Sequence, residues 1–201
     1  MSLLVKICGI SCPEALDAAV EAGADAVGFV FHPASPRNVA PADAARLAAR
    51  LPPTVRSVAV TLHPSQQRVD DVLAAFVPAV WQTDADDFAA VAVPDAVERW
   101  PVYRAAARLP AALPPRMLFE GARSGAGEIA DWGQAAALAR RTELILGGGL
   151  APGNVASAVT TVRPFGVDVS TGVEFAPGRK DAARIREFVN AAREAAAGVQ
   201  R

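Results

Sequence analysis

An apolar, strand-forming segment followed by an alanine-rich stretch of helical period recurs eight times along this 201-residue chain, and no linker breaks the alternation. Strand-helix repetition demands parallel pairing through right-handed crossovers, and eight units close naturally into a ring. The expected fold is therefore α/β: one (β/α)8 TIM barrel over residues 1–201 with short loops, an open doubly wound sheet being the alternative. Strands are expected at Leu3 to Cys8, Ala26 to Phe31, Arg56 to Leu62, Ala79 to Gln82, Trp100 to Arg104, Arg116 to Glu120, Glu143 to Gly147 and Val167 to Ser170. Helices are expected at Pro13 to Ala22, Ala42 to Leu51, Gln66 to Phe76, Asp86 to Ala92, Trp132 to Arg140, Pro152 to Thr161 and Asp181 to Ala197, with an abbreviated fifth crossover near Ala105 to Leu113. Asp131 reads as a helix N-cap and Pro152 as a first-turn residue.

With 52% hydrophobic residues the chain can bury one sizeable core. Twenty Lys and Arg against 21 Asp and Glu give a net charge of -1, so no overall field draws nucleic acid or an anionic membrane. An anionic ligand must be captured locally. The chain enters an apolar strand at once, without a basic leader or a long apolar helix, and a cytoplasmic location is expected. Cys8 and Cys12 lack Cys-x-x-Cys spacing, and only His32 and His63 are present, which argues against a metal centre.

In a barrel the chemistry gathers at the C-terminal strand ends. Lys6-Ile7-Cys8-Gly9-Ile10 brings a thiol there, with Lys6 and Cys8 on one face of the strand and Val5 and Ile7 on the other. As a general base Cys8 must be a thiolate, which requires a nearby cation or backbone dipoles to lower its pKa; Lys6 is on the correct face. Asp168 shares the inward parity of Ser170 on the eighth strand, next to the first. A Lys6 to Asp168 ion pair beneath the sulfur is therefore expected, because a buried lysine without a partner is costly.

Gly147-Gly148-Gly149 leaves strand seven just before a helix, and Ser170-Thr171-Gly172 leaves strand eight in the same way. Glycines alone satisfy tight turns; paired at adjacent strand ends they read as a phosphate cradle. Glu120 ends strand six as a candidate proton donor, before the glycine-rich run Gly121 to Gly127. Arg37, after Ser35-Pro36, offers a guanidinium to a substrate carboxylate or phosphate. Neither Cys12 nor His63 is given a role.

These motifs, together with Gly23-Ala24-Asp25-Ala26-Val27-Gly28-Phe29-Val30-Phe31, Asn154-Val155, Gly166 to Glu174, Pro177-Gly178 and Lys180-Asp181, resemble the phosphoribosylanthranilate isomerase family over nearly the whole chain. The resemblance implies a cofactor-free Amadori rearrangement in tryptophan biosynthesis. An acid opens the sugar ring to an iminium, and a cysteine base removes the C2 proton. It implies Cys8 as base, Arg37 as substrate-binding arginine, and Gly148, Gly149, Ser170, Thr171 and Gly172 as the phosphate cradle for a small phosphorylated substrate; a monomer or homodimer is expected. The family's acid is an aspartate where this chain has Glu120. Ser124-Gly125-Ala126-Gly127 stands for the usual Gly-Gly-Thr-Gly, and Trp81-Gln82-Thr83-Asp84 for Gln-Leu-His-Gly. A non-catalytic or altered-specificity sugar-phosphate-binding barrel is the alternative. A metal-dependent pentose-phosphate epimerase is disfavoured by the two histidines, and indole-glycerol-phosphate synthase because the Cys8 motif is unlike the lysine acid it would require.

Overall fold

The computed structural model describes residues 3–105, 109–121 and 130–199. Eight parallel strands pair in sequential order: β1 (Leu4–Cys8), β2 (Ala26–Val30), β3 (Arg56–Val60), β4 (Val80–Asp84), β5 (Glu98–Arg104), β6 (Arg116–Glu120), β7 (Glu143–Leu146) and β8 (Gly166–Val169). The ring closes where β8 pairs with β1, Lys6 lying opposite Asp168.

Alternation along these strands builds two concentric cores. Ala26, Val58, Val80, Trp100, Val102, Leu118 and Ile145 fill the interior, while Val5, Ile7, Val27, Phe29, Phe119 and Leu146 face outward beneath the helices. Each large side chain so buried stabilises the fold by about 1.5–3 kcal/mol. Trp100 is wholly buried in the inner cluster, its indole N-H donating to Glu98 Oε1 at 2.8 Å.

The outer layer comprises α1 (Pro13–Glu21), α2 (Pro41–Ala48), α3 (Gln66–Ala75), α4 (Trp132–Ala139), α5 (Val155–Val162) and α6 (Ala182–Val199). Prolines open α1 and α2, where a missing N-H costs nothing. Ser65 and Asp131 cap α3 and α4 by accepting from the amides of Arg68 and Gln134. The last helix lays Ile185, Phe188, Val189 and Ala192 against the barrel wall.

Three expectations meet corrections or limits. The helix expected at Asp86 to Ala92 is a 3-10 segment, Ala85–Ala89. Asp87 accepts from the His63 amide and the Thr83 hydroxyl, which ties this segment to its neighbours instead of a regular helix. The helix expected from Pro152 begins at Val155, because Asn154 accepts from the Ala151 amide and donates to Gly149 O at 2.8 Å, holding residues 151–154 as a turn. The fifth crossover lies partly outside the described residues; among those described, no helix joins β5 to β6.

Candidate active site

Cys8 ends β1 with its side chain directed inward, and β2 makes room for it. A Cβ at Gly28 would lie 2.9 Å from Cys8 Sγ and 3.2 Å from Lys6 Nζ, so a glycine is what lets both groups occupy the barrel interior. Lys6 is fully buried and donates to Asp168 Oδ1 at 2.7 Å, the contact expected from strand parity. Burial alone would lower its pKa, but Asp168 outweighs burial and keeps the ammonium charged.

The effect on the thiol is the reverse of the sequence expectation. Burial pushes the Cys8 thiol above its ordinary pKa, against the pull of Lys6, and the Asp168 charge adds to burial. Lys6 still pulls the thiol down, but burial outweighs it, so the resting group is a thiol.

Arg37 reaches the same side of the mouth, where it is held by a residue to which the sequence reading gave no role. Its Nε and Nη2 both donate at 2.8 Å to Glu174, which lies in β9 (Glu174–Ala176) beyond β8. Lys180, in β10 (Arg179–Lys180), donates to Glu174 Oε1 at 2.8 Å and to Ser170 O at 3.0 Å. Burial opposes ionisation of Glu174, but Arg37 and Lys180 outweigh it and hold the carboxyl below its ordinary pKa. Lys180 is pushed down by burial despite Glu174. Ser170 completes the set, its hydroxyl donating to Cys8 O at 3.1 Å.

Across the mouth, Glu120 ends β6 with Oε1 at 3.0 Å from Arg104 Nη2. Arg104, at the end of β5, also donates through Nη1 to Asp84. Burial would lower the Arg104 pKa; the two carboxylates outweigh it. Arg104 thus bridges Asp84 and Glu120 across the ends of β4, β5 and β6. Beside them Gln82 is buried, and among the described residues its Oε1 has no hydrogen-bond partner.

Gly148 and Gly149 turn the chain after β7 with φ of +80° and +63°. The loop after β8 presses on the residues that follow them: a Cβ at Gly172 would lie 1.9 Å from Leu150 O. Ser170, Thr171 and Gly172 lead into a short 3-10 turn there. Among the described residues the amides of Gly148, Gly149, Thr171 and Gly172 meet no acceptor, which leaves them able to face an anion.

Cys8, Asp168, Ser170, Arg37, Gln82 and Glu120 line one cavity of about 320 Å³, with Ser35, Pro36, Thr61 and Leu62 on its rim. A larger cavity of about 560 Å³, lined by Leu3, Thr142 and Phe165 among others, lies at the opposite pole, away from these groups. The glycine-rich run after Glu120 lies outside the described residues beyond Gly121. Among the described residues no group of three or more His, Cys, Asp or Glu is arranged to hold a metal ion, and no helix is long and apolar enough to cross a membrane.

A closed parallel barrel that gathers a thiol, carboxylates and arginines at the C-terminal ends of its strands defines the class, a (β/α)8-barrel enzyme. The family model described as N-(5'phosphoribosyl)anthranilate (PRA) isomerase matches residues 5–191. The chain belongs to that family. It is 43% identical over 205 residues to the N-(5'-phosphoribosyl)anthranilate isomerase of Geobacter sulfurreducens, covering 94% of this chain and 98% of that one. Crystalline phosphoribosyl anthranilate isomerase from Thermotoga maritima superposes with a TM-score of 0.78 at 33% identity, covering 96% and 99% of the two chains. Another structure, of the isomerase in complex with reduced 1-(o-carboxyphenylamino)-1-deoxyribulose 5-phosphate, gives 0.77 at 31% identity, with the same coverage.

Proposed function

We propose that this chain isomerises N-(5-phosphoribosyl)anthranilate to 1-(2-carboxyphenylamino)-1-deoxyribulose 5-phosphate in tryptophan biosynthesis, as one barrel domain acting in the cytoplasm as a monomer or homodimer. The observation that carries the reading is that Cys8, Glu120 and Arg37 line one cavity. Protonated Glu120 donates to the furanose ring oxygen, the C1–O bond breaks, and the nitrogen lone pair forms the iminium. Asp84 retains Arg104 while Glu120 is neutral.

The iminium brings a positive charge beside the sulfur and favours its thiolate, the thiol proton passing to solvent. Cys8 then takes the C2 proton, and the electron pair closes the C1–C2 double bond of the enolamine. Return of that proton to C1, with passage of the C2 hydroxyl proton back to Glu120, forms the ketone and restores the acid; the thiolate regains its proton from solvent as the product leaves. The free amides of the loops after β7 and β8 hold the phosphate. Arg37, kept in place by Glu174, has Nη1 to offer the substrate.

The purified protein is expected to remove the fluorescence of phosphoribosylanthranilate catalytically. Absence of turnover, with a reduced product analogue still bound, would replace this reading by that of a binding protein.

A further inference from the structure

We propose that Arg104, its charge balanced by Asp84, is the positioning residue that aims the Glu120 carboxyl at the substrate, an inference that rests on the isomerase reading above. A glutamate carries its carboxyl on one more rotatable bond than an aspartate, and a proton donor must sit within hydrogen-bond reach of the atom it protonates. Something has to hold that extra bond. Glu120 lines the cavity with Cys8 and Arg37, whereas neither Arg104 nor Asp84 does. Both are mostly buried beside it: Arg104 Nη2 is 3.0 Å from Glu120 Oε1, and its Nη1 donates to Asp84 Oδ2.

The strand register fixes this arrangement. Arg104 stands opposite Glu120 in the β5–β6 ladder, and the next amide, that of Ala105, donates to Glu120 O at 3.1 Å. Asp84 pairs with Val102 on the other side of β5, so one guanidinium spans the ends of three consecutive strands. Asp84 is held in turn: its Oδ2 lies 3.7 Å from His63 Nε2, and Asp87 secures His63 through the backbone amide and Nδ1. A planar fork suits the task, because it presents separate N-H groups to two carboxyls at once.

Charge explains why the guanidinium has two partners. Unbalanced, it would favour the carboxylate of Glu120 and oppose the protonated form that an acid needs. Asp84 offsets that charge and leaves Arg104 a geometric hold on Glu120. As the proton passes to the ring oxygen, the carboxylate that forms finds its donor already in place, with no reorganisation at the moment of reaction.

Steady-state kinetics of the full chain with phosphoribosylanthranilate tests this. Asp84→Asn combined with Arg104→Met removes the cation and its balancing charge together, so neither is left unpaired in the mouth. The kcat should fall about 10- to 100-fold, with KM and the affinity for reduced 1-(o-carboxyphenylamino)-1-deoxyribulose 5-phosphate little changed. In a Glu120→Gln background, which has no proton to give, the same two changes should cost less than about threefold. A purely structural role lowers kcat alike in both backgrounds, and that result overturns the proposal, as does a wild-type kcat in the paired variant.

Should the paired variant fail to fold, Arg104→Lys decides. Lysine keeps the charge but offers a point contact where the fork spans two carboxyls, so kcat should fall about tenfold with the melting temperature held. A kcat equal to wild type overturns the proposal. Turnover by the wild type separates the two failures: turnover that is indifferent to Arg104 removes only this role, and no turnover removes the isomerase reading and the role with it.

Discussion

Cys8 and Gly28 form one unit at the residue scale: the glycine exists in β2 so that the sulfur and the Lys6 ammonium have space in β1. Gly28→Ala inserts a methyl 2.9 Å from Sγ, and should cost about 1–3 kcal/mol of stability and displace the base. Urea unfolding together with a rate assay checks it; a fully active, equally stable variant contradicts it. Because burial raises the thiol pKa, kcat/KM should still be climbing above about pH 8.5, the range of an ordinary thiol. A pH-rate profile flat from pH 7 upward would assign the base elsewhere. The thiol's position at a strand end and its shared face with Lys6 were legible in the sequence. Its protonation state was not, because it is set chiefly by how completely the closed barrel buries the sulfur, which strand parity does not report. Gly28 was legible only as part of a motif, since spacing says nothing about which side chain a glycine admits.

At the scale of elements, the hairpin after β8 secures Arg37. Glu174 binds both Arg37 and Lys180, and these partners depress its pKa. The unfolded chain binds a proton at Glu174 near pH 4.3, above the folded value, so the stabilisation is present above that pH. It is lost as pH falls through the folded value. Glu174→Gln should cost about 3 kcal/mol at pH 7, and the difference from wild type should shrink in strong acid. Urea titrations at pH 7 and pH 3 measure it; a gap unchanged with pH would remove the charge as its source. The sequence placed Arg37 and Glu174 in separate motifs 137 residues apart, and only barrel closure joins them. Arg104 was unassigned because its partners come from β4 and β6, on either side of it, through register that spacing along the chain does not report. The fourth crossover was misread because Asp87 serves Thr83 and His63, a use of the side chain that helical periodicity does not register.

Across the whole molecule, the repeat of strand and helix was enough to give eight strands, their order and the pole that carries the chemistry. Strand parity also gave the buried Lys6–Asp168 pair that spans the closing seam. Lys6→Met leaves Asp168 charged and unpaired inside the barrel and should cost about 3–5 kcal/mol. Adding Asp168→Leu should recover most of the loss in thermal unfolding, and a milder effect of the single variant than of the pair would contradict a buried ion pair. What closure achieves is to bring β1 and β6, far apart in the chain, to face each other over one cavity. The most direct measurement is the turnover of phosphoribosylanthranilate by Cys8→Ala beside wild type. A kcat lower by about 10²- to 10⁴-fold is predicted, with melting temperature and affinity for the reduced product little changed. Equal rates in the two proteins would contradict the account.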